Sequence, residues 1–414
     1  MTPKVIYLSP GDPWSPPRGG QTAFAIQALN AFGSRFAVVA PREDPSVPMG
    51  RWLESEWNGE PIWLFNVGSL APRNKSKRPI IPRRIVFRHR IKRFLPSIRS
   101  LDVGNLFCDS PELLGVLGEF PWESFCYRFA GLNNPVAFSR YRYLRFLANW
   151  FHRKMMRDLS DLNPDVLLAS GDRETITEFE ESNGSYLAGK TLQFFPTRYD
   201  PRVFYPDSSV EFPRLASPRL IIVGRLCWIK GWKLALEALA LLRRRWNSIQ
   251  LTFVGDGEDR FELEKLVDQL DLKNNVQVKG FLEPARLSSE LRATDLYLCA
   301  SIKEGWSVAL VEALACGKTC VSTNVSGARE MIVNDENGFI VESREPEEFA
   351  KGIERALALL ERVGKVNETS LRIAKSFSLD SFAGDWENLW SVLREDKSLP
   401  ASSAEIRTLC PTTN

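Results

Sequence analysis

Two glutamates in this sequence are candidates for a catalytic carboxylate pair. Glu304 and Glu312 flank a short apolar run in the stretch EGWSVALVEALACG, residues 304–317. The run has the period of a short helix with one buried face, Ser307 is a good N-cap, and Gly317 is a typical stop. We therefore expect Glu304 on the loop before the helix and Glu312 about one and a half turns into it. The alternative is an acid that favours the helix dipole and a second, solvated acid on the outer face.

A second stretch, IIVGRLCWIKGW at residues 221–232, is typical of a phosphate-binding loop. A strand is expected to end at Gly224, and Arg225 and Lys230 follow in a turn before the next helix. Phosphate binding needs fixed cations beside exposed backbone N–H groups at a helix start. The alternative is a solvated strand–helix loop with two surface cations.

Residues 219–343 supply the elements that must position these side chains. Short β-branched runs such as RLIIV alternate there with segments of helical period such as KLALEALALL. Strand-then-helix repetition with continuously apolar strands predicts a doubly wound parallel sheet whose ligands bind at the carboxyl ends of the strands. Both motifs should then meet at one edge of the sheet, where the N–H groups of Gly305, Trp306 and Ser307 could hold a second phosphate oxygen.

The first half of the chain shows the same alternation less regularly. Strands are expected at KVIYLS, FAVVAP, IWLFNVG, ESFCYRFA, DVLLAS and KTLQFF, and a long helix near residues 137–162. We predict an α/β protein of two Rossmann-like doubly wound domains. The boundaries are predicted as 1–205, 206–376, a last amphipathic helix over 377–396 and a disordered tail over 397–414.

Composition excludes several classes of protein. The chain has 414 residues, 44% hydrophobic and 25% charged, which is typical of a globular protein of two or three domains. No apolar run is long enough to span a bilayer, and Pro10, Asp12 and Pro13 interrupt any signal peptide. Seven cysteines without a C-x-x-C pair predict buried, reduced thiols and a cytoplasmic location, and with only two histidines we expect no metal centre.

The motifs together resemble a known enzyme family. V-G-R-L-x-x-x-K-G followed by E-G-x₆-E-A-x-A-x-G is similar to the retaining glycosyltransferases of family 4, also described as glycosyl transferases group 1, which have the GT-B fold. The resemblance covers nearly the whole C-terminal half. It implies two Rossmann-like domains facing a cleft, a nucleotide-sugar donor held mainly by the C-terminal domain, and a last helix that crosses back to the N-terminal domain.

The resemblance also implies roles for single residues. Arg225 and Lys230, beside Gly224, would hold the donor diphosphate and stabilise the leaving nucleoside diphosphate. Glu312 would bind the ribose hydroxyls, and Glu304 would contact the donor sugar near the reacting carbon. Charge grows on the leaving diphosphate in the transition state, so these cations and the helix N-terminus must be positioned beforehand. They make a metal unnecessary, and we expect no cofactor.

The N-terminal half matches the family in part. Gly19 and Gly20, in the loop PPRGGQTAF, resemble the family's Gly-Gly before the first helix and would let backbone approach the phosphates and the acceptor; an ordinary flexible turn is the alternative. The family's histidine near the donor sugar is missing, and Arg128 is the candidate substitute. In the segment TRYD, Asp200 alone matches the family's loop.

A basic insertion at residues 73–99 holds eleven lysines and arginines, whereas the rest of the chain carries 43 basic and 51 acidic residues. Four apolar residues there, Phe87, Ile91, Phe94 and Ile98, recur at helical spacing among cations. The cations are Arg83, Arg84, Arg88, Arg90, Lys92 and Arg93. A basic amphipathic helix is typical of a membrane-surface element. We predict peripheral contact with an anionic membrane; a core-packed helix with a solvated charged face is the alternative.

The sequence therefore predicts a retaining, metal-independent glycosyltransferase of the cytoplasm or the inner membrane face. It would move a sugar from a nucleotide-sugar donor to a carbohydrate or lipid-linked acceptor. Three other functions remain open. A non-catalytic nucleotide-sugar-binding protein would fit the missing histidine, and a glycoside hydrolase could use the glutamate pair but has no need of a diphosphate grip. A nucleic-acid-binding protein would use residues 73–99 and leave the C-terminal motifs unexplained.

Overall fold

The computed structural model describes residues 3–15, 20–70, 83–119, 121–129, 145–169, 192–207, 217–382 and 384. The chain separates into two compact units. The N-terminal unit comprises Met1–Thr197 with Phe382–Asn414, and the C-terminal unit comprises Arg198–Ser381. The predicted boundary lay after residue 205, and most of the predicted last helix, from residue 385 on, lies outside the described residues.

The N-terminal unit is built on an eight-stranded sheet of order β3-β4-β2-β1-β5-β6-β7-β8. Its strands are β1 Val5–Leu8, β2 Phe36–Ala40, β3 Trp52–Trp57, β4 Glu60–Asn66, β5 Asn105–Cys108, β6 Ser124–Phe129, β7 Val166–Ala169 and β8 Leu192–Phe194. All neighbours pair in parallel except β3, which pairs antiparallel to β4 at one edge. Central strands such as β1 and β2 are buried throughout, as expected for a sheet covered on both faces.

Four described helices accompany this sheet: α1 Gly20–Phe32, α2 Arg83–Ile98, α3 Leu114–Leu117 and α4 Arg145–Leu162. Helices α2, α3 and α4 all connect strands in the same direction across the sheet, and right-handed crossovers place them on one face. One hydrophobic cluster confirms this arrangement, because it joins residues of all three helices, such as Phe87, Val116 and Met156.

The C-terminal unit is built on a six-stranded, fully parallel sheet of order β11-β10-β9-β12-β13-β14. Its strands are β9 Arg219–Val223, β10 Gln250–Val254, β11 Val276–Val278, β12 Leu296–Cys299, β13 Thr319–Thr323 and β14 Gly338–Val341. The described helices of this unit include α5 Trp232–Leu242, α6 Arg260–Gln269, α7 Pro284–Ala293, α8 Val308–Ala315, α9 Ala328–Met331, α10 Pro346–Val363 and α11 Glu368–Lys375. The doubly wound sheet predicted from residues 219–343 is present. Helices α10 and α11 follow its last strand in the chain.

Two further expectations from the sequence concern the cysteines and the helix lengths. Among the described cysteines, Cys227 is half-buried and the others are buried, and all are free thiols. Within the described residues, none of the helices has both the length and the apolar character needed to cross a membrane.

Candidate functional site

The order in which the chain adds strands to the C-terminal sheet reverses between β9 and β12, although all the strands run parallel. From β9 the chain continues to β10 and β11 on one side, and it then returns to β12 on the other side of β9. Such a reversal leaves a crevice outside the carboxyl ends of the two strands, where open α/β sheets bind ligands. Gly224 directly follows β9, and Glu304 lies on the loop after β12. Both predicted motifs therefore lie at this reversal.

Glycines fix the path of the loop after β9. Gly231 has φ +66°, and a Cβ atom there would lie 1.7 Å from the carbonyl oxygen of Ala300. Gly255, after β10, has φ +131°, and its Cβ would lie 2.0 Å from the carbonyl oxygen of Gly224. Only glycine fits such contacts, since any side chain would overlap backbone. The loops after β9, β10 and β12 are thus packed backbone to backbone.

Lys230 and Glu304 form an ion pair across the reversal. The Nζ atom of Lys230 lies 2.6 Å from Oε1 of Glu304, whose side chain is 10% exposed. Burial alone would lower the pKa of Lys230, but the adjacent Glu304 carboxylate raises this pKa above its ordinary value. The hydroxyl of Ser301 donates to the same Glu304 oxygen at 2.6 Å. Lys230 is therefore a fixed cation, and Glu304 is held from two sides.

Arg225 lies at the outer side of the same crevice. Its side chain is 69% exposed, and its guanidinium lies 3.0 Å from Oε2 of Glu258, on the loop after β10. Because this ion pair is exposed, it contributes at most about 1 kcal/mol to stability. An incoming anion can therefore compete with Glu258 for Arg225 at small cost.

The segment before α8 points the start of that helix at the reversal. The Oγ atom of Ser307 accepts the N–H of Leu310 at 3.3 Å, so Ser307 is the N-cap as predicted. The buried indole of Trp306 packs edge-on against Phe377, with ring centroids 5.0 Å apart. Gly305 lies in the chain between Trp306 and Glu304. The first N–H groups of α8 and the positive end of its dipole are suited to an anion.

Glu312 lies within α8 and is half-buried. Burial raises the pKa of its carboxyl to about 8, and within the described residues no cation or hydrogen-bond donor offsets this effect. The alternative of a solvated acid on the outer face is therefore wrong for Glu312. A desolvated carboxyl without a partner is suited to hydroxyl groups supplied by a ligand.

The site residues predicted in the N-terminal unit have less support from the structure. Gly19 lies outside the described residues, and Gly20 is the first residue of α1. Arg128, on β6, is 1% exposed, stacks over Phe24 at 3.7 Å and lies 3.9 Å from Asp109. Burial raises the pKa of Asp109 to about 7 despite that cation. Arg128 thus lies in the core of the N-terminal unit, which speaks against direct contact with a sugar.

The remaining polar candidates have local partners or lie at the surface. Asp200 accepts hydrogen bonds from the backbone and side chain of Arg202. His89 is exposed on α2, and His152 lies in α4, but its side chain is outside the described residues.

The helix of the basic insertion is present as α2, and its apolar stripe faces the core. Phe87, Ile91 and Ile98 are completely buried in the N-terminal unit, and Phe94 is half-buried. The apolar stripe of α2 therefore packs on the sheet and is not free to enter a membrane. This agrees with the alternative prediction of a core-packed helix with a solvated charged face. Arg90 is also engaged, since it donates to the carbonyls of Val67 and Ser69. The other cations of α2 are exposed at the surface. They are Arg83, Arg84, Arg88, Lys92 and Arg93.

Two residues of the site were missed by sequence reasoning. Ser301 holds Glu304, and Glu258 holds Arg225. Glu258 could have been found, because the stretch GDGED directly follows β10, the neighbour of β9. Ser301 carried no comparable signal, since a serine three residues before a glutamate is common in loops.

Comparison with known sequences finds a family that matches part of the C-terminal unit. Residues 208–369 match the family described as glycosyl transferases group 1. An alpha-D-kanosaminyltransferase from Streptomyces kanamyceticus is 32% identical over 41% of this chain and 44% of its own length. A poly(glycerol-phosphate) alpha-glucosyltransferase from Bacillus subtilis is 25% identical over 51% of this chain and 31% of its own length. The chain thus spans about half or less of the length of these curated relatives.

Comparison with solved structures gives the fold. Sucrose-phosphate synthase from Thermosynechococcus elongatus matches with a TM-score of 0.77 at 17% identity, over 94% of this chain and 99% of that chain. HepE from Anabaena, solved in complex with UDP and glucose, matches with a TM-score of 0.68 at 17% identity over the same shares. The predicted fold, GT-B with two Rossmann-like units, is confirmed.

Proposed function

We propose that the chain is a glycosyltransferase that uses a nucleotide-diphosphate sugar, because residues 208–369 of its C-terminal unit match the glycosyl transferases group 1 family. We further propose the narrower assignment to family 4, with retention of the anomeric configuration. The two relatives described above are named as transferases of kanosamine and of glucose. The donor sugar of this chain is therefore proposed to be a hexose or hexosamine.

One observation carries the proposal: the fixed cation Lys230 lies where the sheet reverses, beside the start of α8. A diphosphate there would meet Lys230, the exposed guanidinium of Arg225 and the N–H groups at Gly305, Trp306 and Ser307. These groups are in place before the reaction. They would therefore stabilise the negative charge that grows on the leaving nucleoside diphosphate without reorganising.

The two glutamates would bind opposite ends of the donor. Glu304 is a carboxylate fixed by Ser301 and Lys230 beside the phosphate site, so it is suited to orient a sugar hydroxyl near the reacting carbon. Glu312 is the fifth residue of α8 and has no hydrogen-bond partner among the described residues, so it is suited to the ribose diol. A sugar hydrolase would need none of the cations, which is why transfer from a nucleotide donor explains the site better.

We propose that no metal or other cofactor takes part, since Arg225, Lys230 and the helix start can together supply the positive charge that a diphosphate needs. The acceptor is proposed to be a carbohydrate or lipid-linked glycan bound mainly by the N-terminal unit, with Gly19 and Gly20 near it. The exposed cations of α2 favour a place at the inner face of an anionic membrane.

The experiment is an assay of donor turnover with UDP-, GDP- and ADP-sugars, followed by NMR of the anomeric proton of the product. We expect release of one nucleoside diphosphate and retention at the anomeric carbon. In Lys230→Ala the rate of release should fall at least about a hundredfold. Binding of a nucleotide without any turnover over a range of acceptors would instead support the alternative, a non-catalytic nucleotide-sugar-binding protein. Inversion would refute the family 4 assignment.

A further inference from the structure

Helix α4 presents an unusual outward face. Trp150, Arg153 and Arg157 recur at spacings of three and four residues, which places them on one side of the helix. All three are exposed, and Trp150 is 58% exposed. The opposite side of α4 carries Met156 and Leu159, which are buried in the core. The face of Trp150 therefore points away from the N-terminal unit.

Helix α2 presents a comparable face. Ile85, Lys92 and Arg93 lie on the side opposite the buried stripe, and Ile85 is 57% exposed. No acidic residue occurs from Pro61 to Leu101. Some of this charge is neutralised, since Lys92 pairs with Glu119 in an exposed contact of 2.8 Å and Arg84 interacts electrostatically with Glu112. Each helix thus combines one exposed apolar side chain with exposed cations, and on α4 the exposed Asp161 lies at the end of the same face.

The two faces belong to one side of the N-terminal unit. Helices α2 and α4 cover the same face of its sheet, with α3 packed between them. We propose that α2 and α4 together form one docking surface for an anionic lipid bilayer, with Ile85 and Trp150 as the apolar contacts. This inference rests on the proposed membrane contact of α2 and extends it to a second helix and to a defined anchor.

The chemistry of the surface favours a bilayer over a nucleic acid. Cations alone would suit either polyanion. An exposed isoleucine has no partner on a phosphate backbone, but it gains by leaving water for the acyl boundary. Tryptophan is enriched at the membrane–water interface, where its ring is in apolar contact and its N–H stays hydrated. The apolar residues that enter the interface are thus the exposed ones and not the buried stripe of α2.

The test measures binding of the full chain to phosphatidylglycerol–phosphatidylcholine vesicles by co-sedimentation. At about 1 kcal/mol per cation near the surface, Arg153→Gln with Arg157→Gln should weaken binding about 25-fold at low salt. That loss should shrink as salt rises, whereas the loss caused by Trp150→Ala should persist, since screening acts on charges only. The matched controls lie in the C-terminal unit: Lys265→Gln with Lys375→Gln for charge, and Phe281→Ala for an exposed ring.

Three outcomes would overturn the inference. If Arg83→Gln, Arg84→Gln and Arg88→Gln weaken binding and the α4 changes do not, the surface is α2 alone and the simpler membrane proposal stands. If the charge control weakens binding as much as the α4 pair, only net charge matters. If duplex DNA binds with the same dependence on Trp150, the partner is not a bilayer. Calorimetry with UDP on the same variants reports the donor site separately, because these residues lie in the other unit.

Discussion

Glu312→Gln should stabilise the protein at high pH and leave it nearly unchanged at low pH. The folded carboxyl has a pKa of about 8, against an ordinary value of 4.5. Below pH 4.5 the group is protonated in both states and costs nothing. Between pH 4.5 and 8 the unfolded state ionises and the folded state does not, so the wild type loses stability progressively; above pH 8 the loss is constant.

The magnitude follows from the shift in pKa. At 1.36 kcal/mol per pKa unit, a rise in the pKa of Glu312 from 4.5 to about 8 lowers the free energy of unfolding by about 5 kcal/mol once the carboxyl is ionised in both states. Glu312→Gln removes the ionisation in both states, so the variant should exceed the wild type by about 4–5 kcal/mol at pH 8.5. At pH 5 the difference should be about 1 kcal/mol or less.

The assay is urea unfolding at both pH values, followed by hydrogen exchange in peptides of α8, because two units need not unfold in one step. Glu262→Gln on α6 is the matched control: it makes the same chemical change at an exposed position. A gain in Glu312→Gln that is equal at pH 5 and 8.5, or no larger than that of the control, would refute the claim that the Glu312 carboxyl is desolvated and unpartnered.

Three further changes probe the same site. Ser301→Ala should lower kcat by about tenfold or more with little effect on nucleotide binding, since it removes a hydrogen bond to the charged Glu304; steady-state kinetics and calorimetry separate the two. Glu258→Gln should tighten UDP binding about two- to fivefold at low salt in calorimetry, because Arg225 loses its competing partner. Gly231→Ala should lower the Tm and abolish UDP binding, since its Cβ would overlap backbone.

Each of these changes has a control in the chain. Ser301→Thr should restore kcat, and failure to do so would assign Ser301 to packing. Glu264→Gln breaks a similar exposed pair with Arg260 away from the loop and should leave UDP affinity unchanged. Gly280→Ala has a similar positive φ of +69° but meets no atom within 4 Å, so it should cost less than Gly231→Ala. Equal losses at both glycines would mean that backbone strain, not close packing, dominates.

Much of the C-terminal unit could be predicted because its central strands are buried on both faces. Continuous apolar runs such as RLIIV, each followed by a helix of clear period, specify a parallel sheet without further information. The start of α8 was equally predictable, since Ser307 and Gly317 are local signals; Gly317 has φ +71° and ends the helix as expected.

The N-terminal unit was harder to predict, for physical reasons. Strand β3 is an edge strand of mixed exposure with the sequence WLESEW, so it lacks the apolar run of a central strand. Strand β5 begins at the half-buried Asn105 and contains only three consecutive apolar residues, so it lacks the longer apolar run of the other central strands. The helical period predicted α2, but the period alone could not show whether its apolar stripe meets a membrane or the sheet.

Ion pairing was the part of the site that sequence could not supply. Lys230 and Glu304 are 74 residues apart, and Arg225 and Glu258 are 33 apart. Topology brings them to one edge, but the choice of partner depends on side-chain packing. The desolvation of Glu312 likewise depends on its neighbours in space and not on those in sequence.

Calorimetric binding of UDP, GDP and ADP, with and without an attached sugar, to the wild type and to Glu312→Ala tests the central claim most directly. We predict that one nucleotide binds and that Glu312→Ala weakens its binding at least about tenfold, because the ribose hydroxyls lose their hydrogen bonds to the Glu312 carboxyl. Absence of binding to well-folded protein, or binding that Glu312→Ala leaves unchanged, would contradict the donor site described above.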